Sequence, residues 1–161
     1  MSEKVRRLYL VFGDQLDHQS PLFDEIDPDR DRLWMAEIAE EATHVWCHKL
    51  RLAFFFSVMR HFREYLTSGG YTVQYHELGK TSADDIGTSF SEVLRHDLAR
   101  MEVEELVAVE PGHHRVREAL EIFAKEEKVK LRWLDDTHFY LPLDAFKDWA
   151  ADRKSFLLEH F

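Results

Sequence analysis

Cysteine is almost absent: Cys47 stands alone among 161 residues. That excludes an internal disulfide, a four-thiolate zinc site and an iron–sulfur cluster held by this chain alone. Long apolar runs are missing as well. A membrane span needs roughly 20 consecutive apolar residues, and the densest stretch, Leu50 to Met59, is broken by Arg51 and Ser57. Basic charge is in deficit, with 21 Lys and Arg against 31 Asp and Glu and a formal net charge of −10. A chain of that sign repels phosphate backbones and anionic lipid surfaces, so it is expected to bind neither DNA tightly nor a membrane. No internal repeat, low-complexity tract or linker interrupts it. The opening Met1-Ser2-Glu3-Lys4 leads straight into a strand-like run, which predicts no signal peptide and a cytoplasmic location.

What is present is enough for one core. Hydrophobic residues make up 45% and aromatics 13%, with twelve Phe and four Trp, far from a disordered composition. At roughly 100–200 residues per domain, the length predicts a single domain over 1–161.

Short apolar runs alternate with helical periodicity. Arg7–Phe12, Leu33–Ile38, Tyr71–His76, Leu106–Val109 and Val129–Leu134 read as strands. Between them a long helix is expected from Thr43 to Thr67, with Leu52, Phe55, Phe56, Met59, Phe62 and Leu66 at helical spacing. A second stripe, Phe54, Val58 and Tyr65, predicts burial on more than one side, and Gly69-Gly70 supplies the stop. Further helices are read at Ser89–Met101, at His113–Glu127 and within 143–161, and a loop with one short helix at Asp17–Arg32. Strands alternating with helices predict a five-stranded parallel sheet covered on both faces, a Rossmann-like α/β fold.

Three polar clusters close predicted strands: Gly13-Asp14-Gln15, Glu37 with Glu40-Glu41, and Glu110-Pro111-Gly112. In an open parallel sheet that edge forms the ligand crevice. Glycine there admits close approach of the backbone, and carboxylates accept from ligand N–H and hydroxyl groups. The alternative is that Asp14 and Glu110 only cap turns. No G-x-G-x-x-G follows the first strand, and neither a P-loop nor a G-x-S-x-G elbow occurs. The third strand ends in His76-Glu77 rather than the aspartate of a phospho-receiver. Ten histidines invite a metal site. His113 and His114 diverge by about 100° on a helix, and His44 with His48 would need Glu41 to complete a set. No metal ligands and no catalytic constellation are therefore assigned. Phe54-Phe55-Phe56 reads mainly as core, with at most one ring facing a ligand.

The clusters together resemble a known family. Gly13-Asp14-Gln15-Leu16, the run Glu37 to Thr43, His48-Lys49, Phe56 to Phe62, Gly70 to Val73, Glu110-Pro111-Gly112 with Arg115-Val116, and Phe146 to Ser155 follow, in order, the deoxyribodipyrimidine photolyase-related proteins, the bacterial iron–sulfur cryptochromes and (6-4) photolyases. The resemblance implies the N-terminal α/β antenna domain of proteins about three times longer. Their C-terminal helical domain, absent from this sequence, carries FAD and a 4Fe–4S cluster and is the expected partner. The implied ligand is the antenna pigment 6,7-dimethyl-8-ribityllumazine. Carried over by motif, Gly13 and Asp14 would lie under the pigment, Glu37 and Glu41 would hydrogen-bond it, and Phe55 would pack near its ring; Gln15, Ile38 and Glu110 complete the candidate set. The alternative is a pigment-free docking module for the helical domain. The chain alone is expected to repair no DNA, and to self-associate through Phe156, Leu157, Leu158 and Phe161, which would otherwise pack on a following helix.

Overall fold

A computed structural model describes residues 3–43, 46–79 and 86–153, with the side chains of Glu41 and Ala42 outside that description. In chain order the described elements are β1 (Glu3–Leu10), α1 (Leu22–Glu25), β2 (Arg32–Ala36), α2 (Ala39–Thr43), α3 (Lys49–Ser68), β3 (Val73–His76), α4 (Phe90–Leu98), β4 (Met101–Val109), α5 (His114–Glu127), β5 (Lys130–Leu134) and α6 (Leu143–Ala150). The five strands form one all-parallel sheet in the order β3-β2-β1-β4-β5. The chain steps outward from β1 to β3, then returns to place β4 on the other side of β1. The loops after β1 and β4 therefore diverge, and a crevice opens between them.

Period-two alternation sorts the strand residues into two cores. Leu8, Leu10, Trp34, Ala36, Leu106 and Ala108 face α4 and α5, meeting Val93, Leu94, Leu120 and Phe123. Tyr9, Leu33, Met35, Val107 and Val109 face the other way, under Met59, Phe62 and Leu66 of α3 and Leu22 of α1. A sheet covered on both faces explains why its central strands read as unbroken apolar runs.

The boundaries differ from expectation in ways that have causes. β1 and β4 begin earlier than their apolar runs, and Met101 opens β4 rather than closing α4. Most of the added residues are charged, and one of them, Glu105 of β4, pairs across the ladder with Arg7 at 3.1 Å. The helix expected from Thr43 to Thr67 starts only at Lys49, because His48 turns out of helical geometry and caps α3 by accepting the Leu50 N–H on Nδ1 at 3.2 Å, and the short α2 ahead of it was not expected. The expected burial of α3 on a second side is corrected too. Phe54 is 71% and Tyr65 55% exposed, and Val58 is exposed as well; among the described residues no layer covers that face. Gly70, at φ +91°, is the left-handed stop after α3. The terminal apolar residues Phe156, Leu157, Leu158 and Phe161 lie outside the described residues, as does His44. Among the described residues, no helix is long and apolar enough to cross a membrane.

α5 ends on a residue poorly suited to its geometry. Lys128 holds a left-handed conformation, φ 55° and ψ 33°, which costs a non-glycine residue roughly 1–2 kcal/mol. Glycine there would regain that, less about 0.5–1 kcal/mol for its freer unfolded chain. Lys128→Gly is expected to raise stability by about 0.5–1 kcal/mol, read as a higher urea midpoint at unchanged slope.

Candidate functional site

A cavity of about 500 Å³ lies at the carboxyl edge of the sheet, where the loops after β1 and β4 part. Phe12, Gly13 and Asp14 come from the loop after β1, and Ala36 and Ile38 from β2 and its end. Pro111, His113, Arg115 and Val116 come from the loop after β4 and the first turn of α5. Cys47, Arg51, Leu52, Phe55, Phe56 and Met59 wall it from the α3 side, and Phe90 closes it from α4. Roughly 300–1,000 Å³ is the usual size of a small-molecule site, as are apolar walls with a few polar groups at the mouth.

Gly13 shows why this position carries no side chain. A Cβ there would overlap the Phe55 ring and come within 2.9 Å of Met59 Sδ. α3 thus packs directly on the strand-end backbone, and Phe55, 37% exposed, lies across that part of the cavity. Behind it, Gln15 donates its side-chain amide to the Glu110 carbonyl at 2.9 Å and ties the two diverging loops together.

Of the residues singled out from sequence, Gly13, Asp14, Ile38 and Phe55 line the cavity. Glu41 belongs to α2, but its side chain lies outside the described residues. Gln15 and Glu110 are not among the lining residues; Gln15 is the loop tie, and the Glu110 carboxylate pairs with Arg117. Glu37 needs the clearest correction. Ala36 and Ile38 face the cavity, so alternation turns Glu37 to the α3 side. There its carboxylate is fully shielded and takes four donors: Arg60 Nε at 2.6 Å, Arg60 Nη2 at 2.8 Å, the Tyr75 hydroxyl at 2.8 Å and the Leu78 N–H at 3.0 Å. No lone pair is left for a ligand. Arg51 and Arg115 were not singled out from sequence. Arg51 could have been, since Arg51, Phe55 and Met59 recur every fourth residue on one helix face.

Two buried carboxylates clamp the exit of β3 from opposite sides of the sheet. Burial is the strongest single influence on Glu37 and would raise its pKa, yet the Arg60, Leu78 and Tyr75 donors together hold it below the ordinary carboxylate value. Burial, then the Glu37 carboxylate, push the Tyr75 hydroxyl well above its usual value. On the other face, Asp97 accepts from Trp34 Nε1 at 2.7 Å and lies 2.6 Å from His76 Nε2. Burial again pulls upward most, and the His76 and Trp34 hydrogen bonds prevail and lower the Asp97 pKa. An ionised carboxylate only accepts, so His76 carries its proton on Nε2. These clusters hold the fold; the cavity is where a ligand can enter.

A parallel sheet in this order, with a walled cavity at its switch point, defines a Rossmann-like α/β domain. Within that class the chain belongs to a particular family: the model of the deoxyribodipyrimidine photo-lyase-related proteins matches it over residues 9–161. It is also 34% identical, over 157 residues, to the (6-4) photolyase of Agrobacterium fabrum (strain C58). That match covers 98% of this chain and 30% of the relative, so the chain spans under a third of the curated protein it resembles.

Proposed function

We propose that this chain is the N-terminal, antenna-binding part of a photolyase- or cryptochrome-like flavoprotein, and that its cavity holds a light-absorbing heteroaromatic pigment, 6,7-dimethyl-8-ribityllumazine. The observation that carries the reading is the 500 Å³ cavity at the carboxyl edge of β1, β2 and β4. Its fit to the pigment is chemical: Phe12, Phe56 and Phe90 offer apolar walls for a flat ring, and the Asp14 carboxylate at the mouth accepts from ring N–H or ribityl hydroxyls. When bound, the pigment supplies absorption and passes its excitation to a flavin in the remainder of the protein. This chain binds, orients and keeps water from the ring; it makes and breaks no bond, and lesion repair, DNA contact, FAD and the 4Fe–4S cluster belong to that remainder.

One observation favours a second reading. The Phe55 ring already covers Gly13, as it would in a pigment-free module whose role is to support the helical domain. Titration with the lumazine, followed by its fluorescence, separates the two. Saturable binding is expected for the native chain, and Asp14→Ala is expected to weaken it about ten- to a hundredfold, the worth of one hydrogen bond to a charged group. If Phe55 narrows the site, Phe55→Ala tightens binding. No binding by either the native chain or Phe55→Ala, with both folded by circular dichroism, removes the antenna reading.

A further inference from the structure

Much of the apolar surface left open on this protein lies along one helix. Leu50, Phe54, Val58 and Tyr65 stand exposed on α3, and at about 100° per residue they fall within roughly 80° of its circumference. They lie beside the Met59, Phe62 and Leu66 face that α3 buries against the sheet. Together they leave on the order of 500 Å² open, at the upper end of the roughly 300–600 Å² patch of an ordinary monomer. With Arg51, Ser57 and His61, exposed alongside, the face reaches about the 800 Å² that each partner gives to a standard interface.

The spacing is that of a helix pair. Arg51, Val58 and Tyr65 recur every seventh residue, and Phe54 and His61 interleave with them three residues on, as a and d positions do. A parallel pair would set Arg51 on Arg51 and His61 on His61. An antiparallel pair instead sets Phe54 of each copy near Tyr65 of the other, and Val58 near His61, and a two-fold axis repeats each contact and closes the assembly at two. Tyr65 is already held for this: its ring lies 4.2 Å from that of His18 and 6.1 Å from that of Phe62, at 23° to it. Little freedom is left for it to lose on contact. Charge favours the same face. The chain carries −10, yet Glu64 is the only acid of α3, and two of its arginines are neutralised at home, Arg60 by Glu37 and Arg63 by Glu77. Copies of an acidic protein repel one another least along such a face.

We infer that a second copy of this chain covers the face, α3 packing antiparallel on α3 across a two-fold axis. The inference stands apart from the pigment reading, since it needs nothing in the cavity. Sedimentation equilibrium over a range of concentrations tests it. The expected mass is twice the 19.2 kDa of one chain, with a dissociation constant on the order of micromolar, the weak end for an interface of this area, and no larger species. Phe54→Glu, which drives a carboxylate into the seam, should raise that constant at least about a hundredfold, and Tyr65→Ala about tenfold. Both side chains are exposed in the single chain, so both variants should keep the native circular dichroism, and either one alone suffices for the test. Ile122→Glu, at an exposed apolar position on α5, should change the constant less than about twofold. Spin labels on Leu50→Cys, with Cys47→Ser, should lie about 25–30 Å apart in the dimer, from the helical rise of 1.5 Å per residue. A monomer at every concentration up to about 300 µM overturns the inference, whatever then covers the face. So does a dimer that survives Phe54→Glu and Tyr65→Ala, which would use another surface. Labels near 10 Å would make the pair parallel, and growth to larger species would mean a contact that does not close; either result overturns it as well.

Discussion

Replacing Asp97 by alanine is expected to lower stability by about 3–5 kcal/mol, the usual cost of removing one partner of a buried charged cluster. Asp97 is 1% exposed and Trp34 fully buried. The carboxylate is the acceptor for the Trp34 indole N–H at 2.7 Å and for His76 Nε2 at 2.6 Å, with Gln74 Nε2 at 3.4 Å. Without it the indole N–H lies in an apolar core with nothing to donate to, and His76 loses its anion. The loss would also cut the tie between α4 and the strands β2 and β3. In a chain of this length about 2–4 °C of melting temperature accompanies each kcal/mol, so a fall of roughly 10 °C or more is expected. Asp97→Asn keeps an oxygen where both the Trp34 and His76 donors converge, and is expected to recover about half of the loss. A melting curve of Asp97→Ala within 2 °C of the native chain, a span worth only about 1 kcal/mol, would show that the cluster carries little of the fold.

How much of this was legible in the sequence depends on which physical signal each feature leaves. Leu8 to Leu10, Leu33 to Ala36 and Leu106 to Val109 stand out because a sheet covered on both faces makes both alternating positions apolar. The amino halves of β1 and β4 leave no such trace. Most of their residues are charged, Glu105 pairs across strands with Arg7, and a pairing between residues so far apart in sequence has no local period. The break between α2 and α3 is hidden for a related reason: His48 as a cap is weaker punctuation than Ser, Asp or Gly. At the site, the cavity lies at the strand edge where the three clusters fall, and Gly13, Asp14 and Pro111 of them line it. Assigning roles within it needed the alternation. Glu37 and Ile38 are neighbours in sequence, but a strand sends them to opposite faces, and only Ile38 reaches the cavity. Arg51 and Arg115 were not among the candidate site residues because single arginines are common. What distinguishes Arg51 is the lack of a carboxylate beside it among the described residues, which only three-dimensional placement reveals.

Glu37 makes the last expected result sharp, because its site on the α3 side predicts a stability defect where a ligand contact would predict a binding defect. Glu37→Ala strips the acceptor from the Tyr75 hydroxyl and the Leu78 N–H, while the Arg60 guanidinium, at 41% side-chain exposure, can turn to water. The expected cost is about 2–4 kcal/mol, between that of two orphaned donors and that of a fully buried broken pair. Acid dependence gives the defect a signature. The folded protein holds the Glu37 pKa below its unfolded value, because its donors together outweigh burial, the largest influence and one that raises it. Its stabilising contribution is therefore complete above the unfolded carboxylate value, about 4.3, and is lost as the pH falls through the lower folded value. Asp97 and Asp31, also lowered against the upward pull of burial, add to the same trend. Native stability should fall steeply below about pH 4, and Glu37→Ala should be less stable at pH 7 with a shallower fall in acid. Lumazine affinity, measured well below the melting temperature, should change by less than about threefold in that variant, under a kcal/mol. A large loss of affinity with unchanged melting and an unchanged acid limb would instead make Glu37 a ligand group and reverse its assignment.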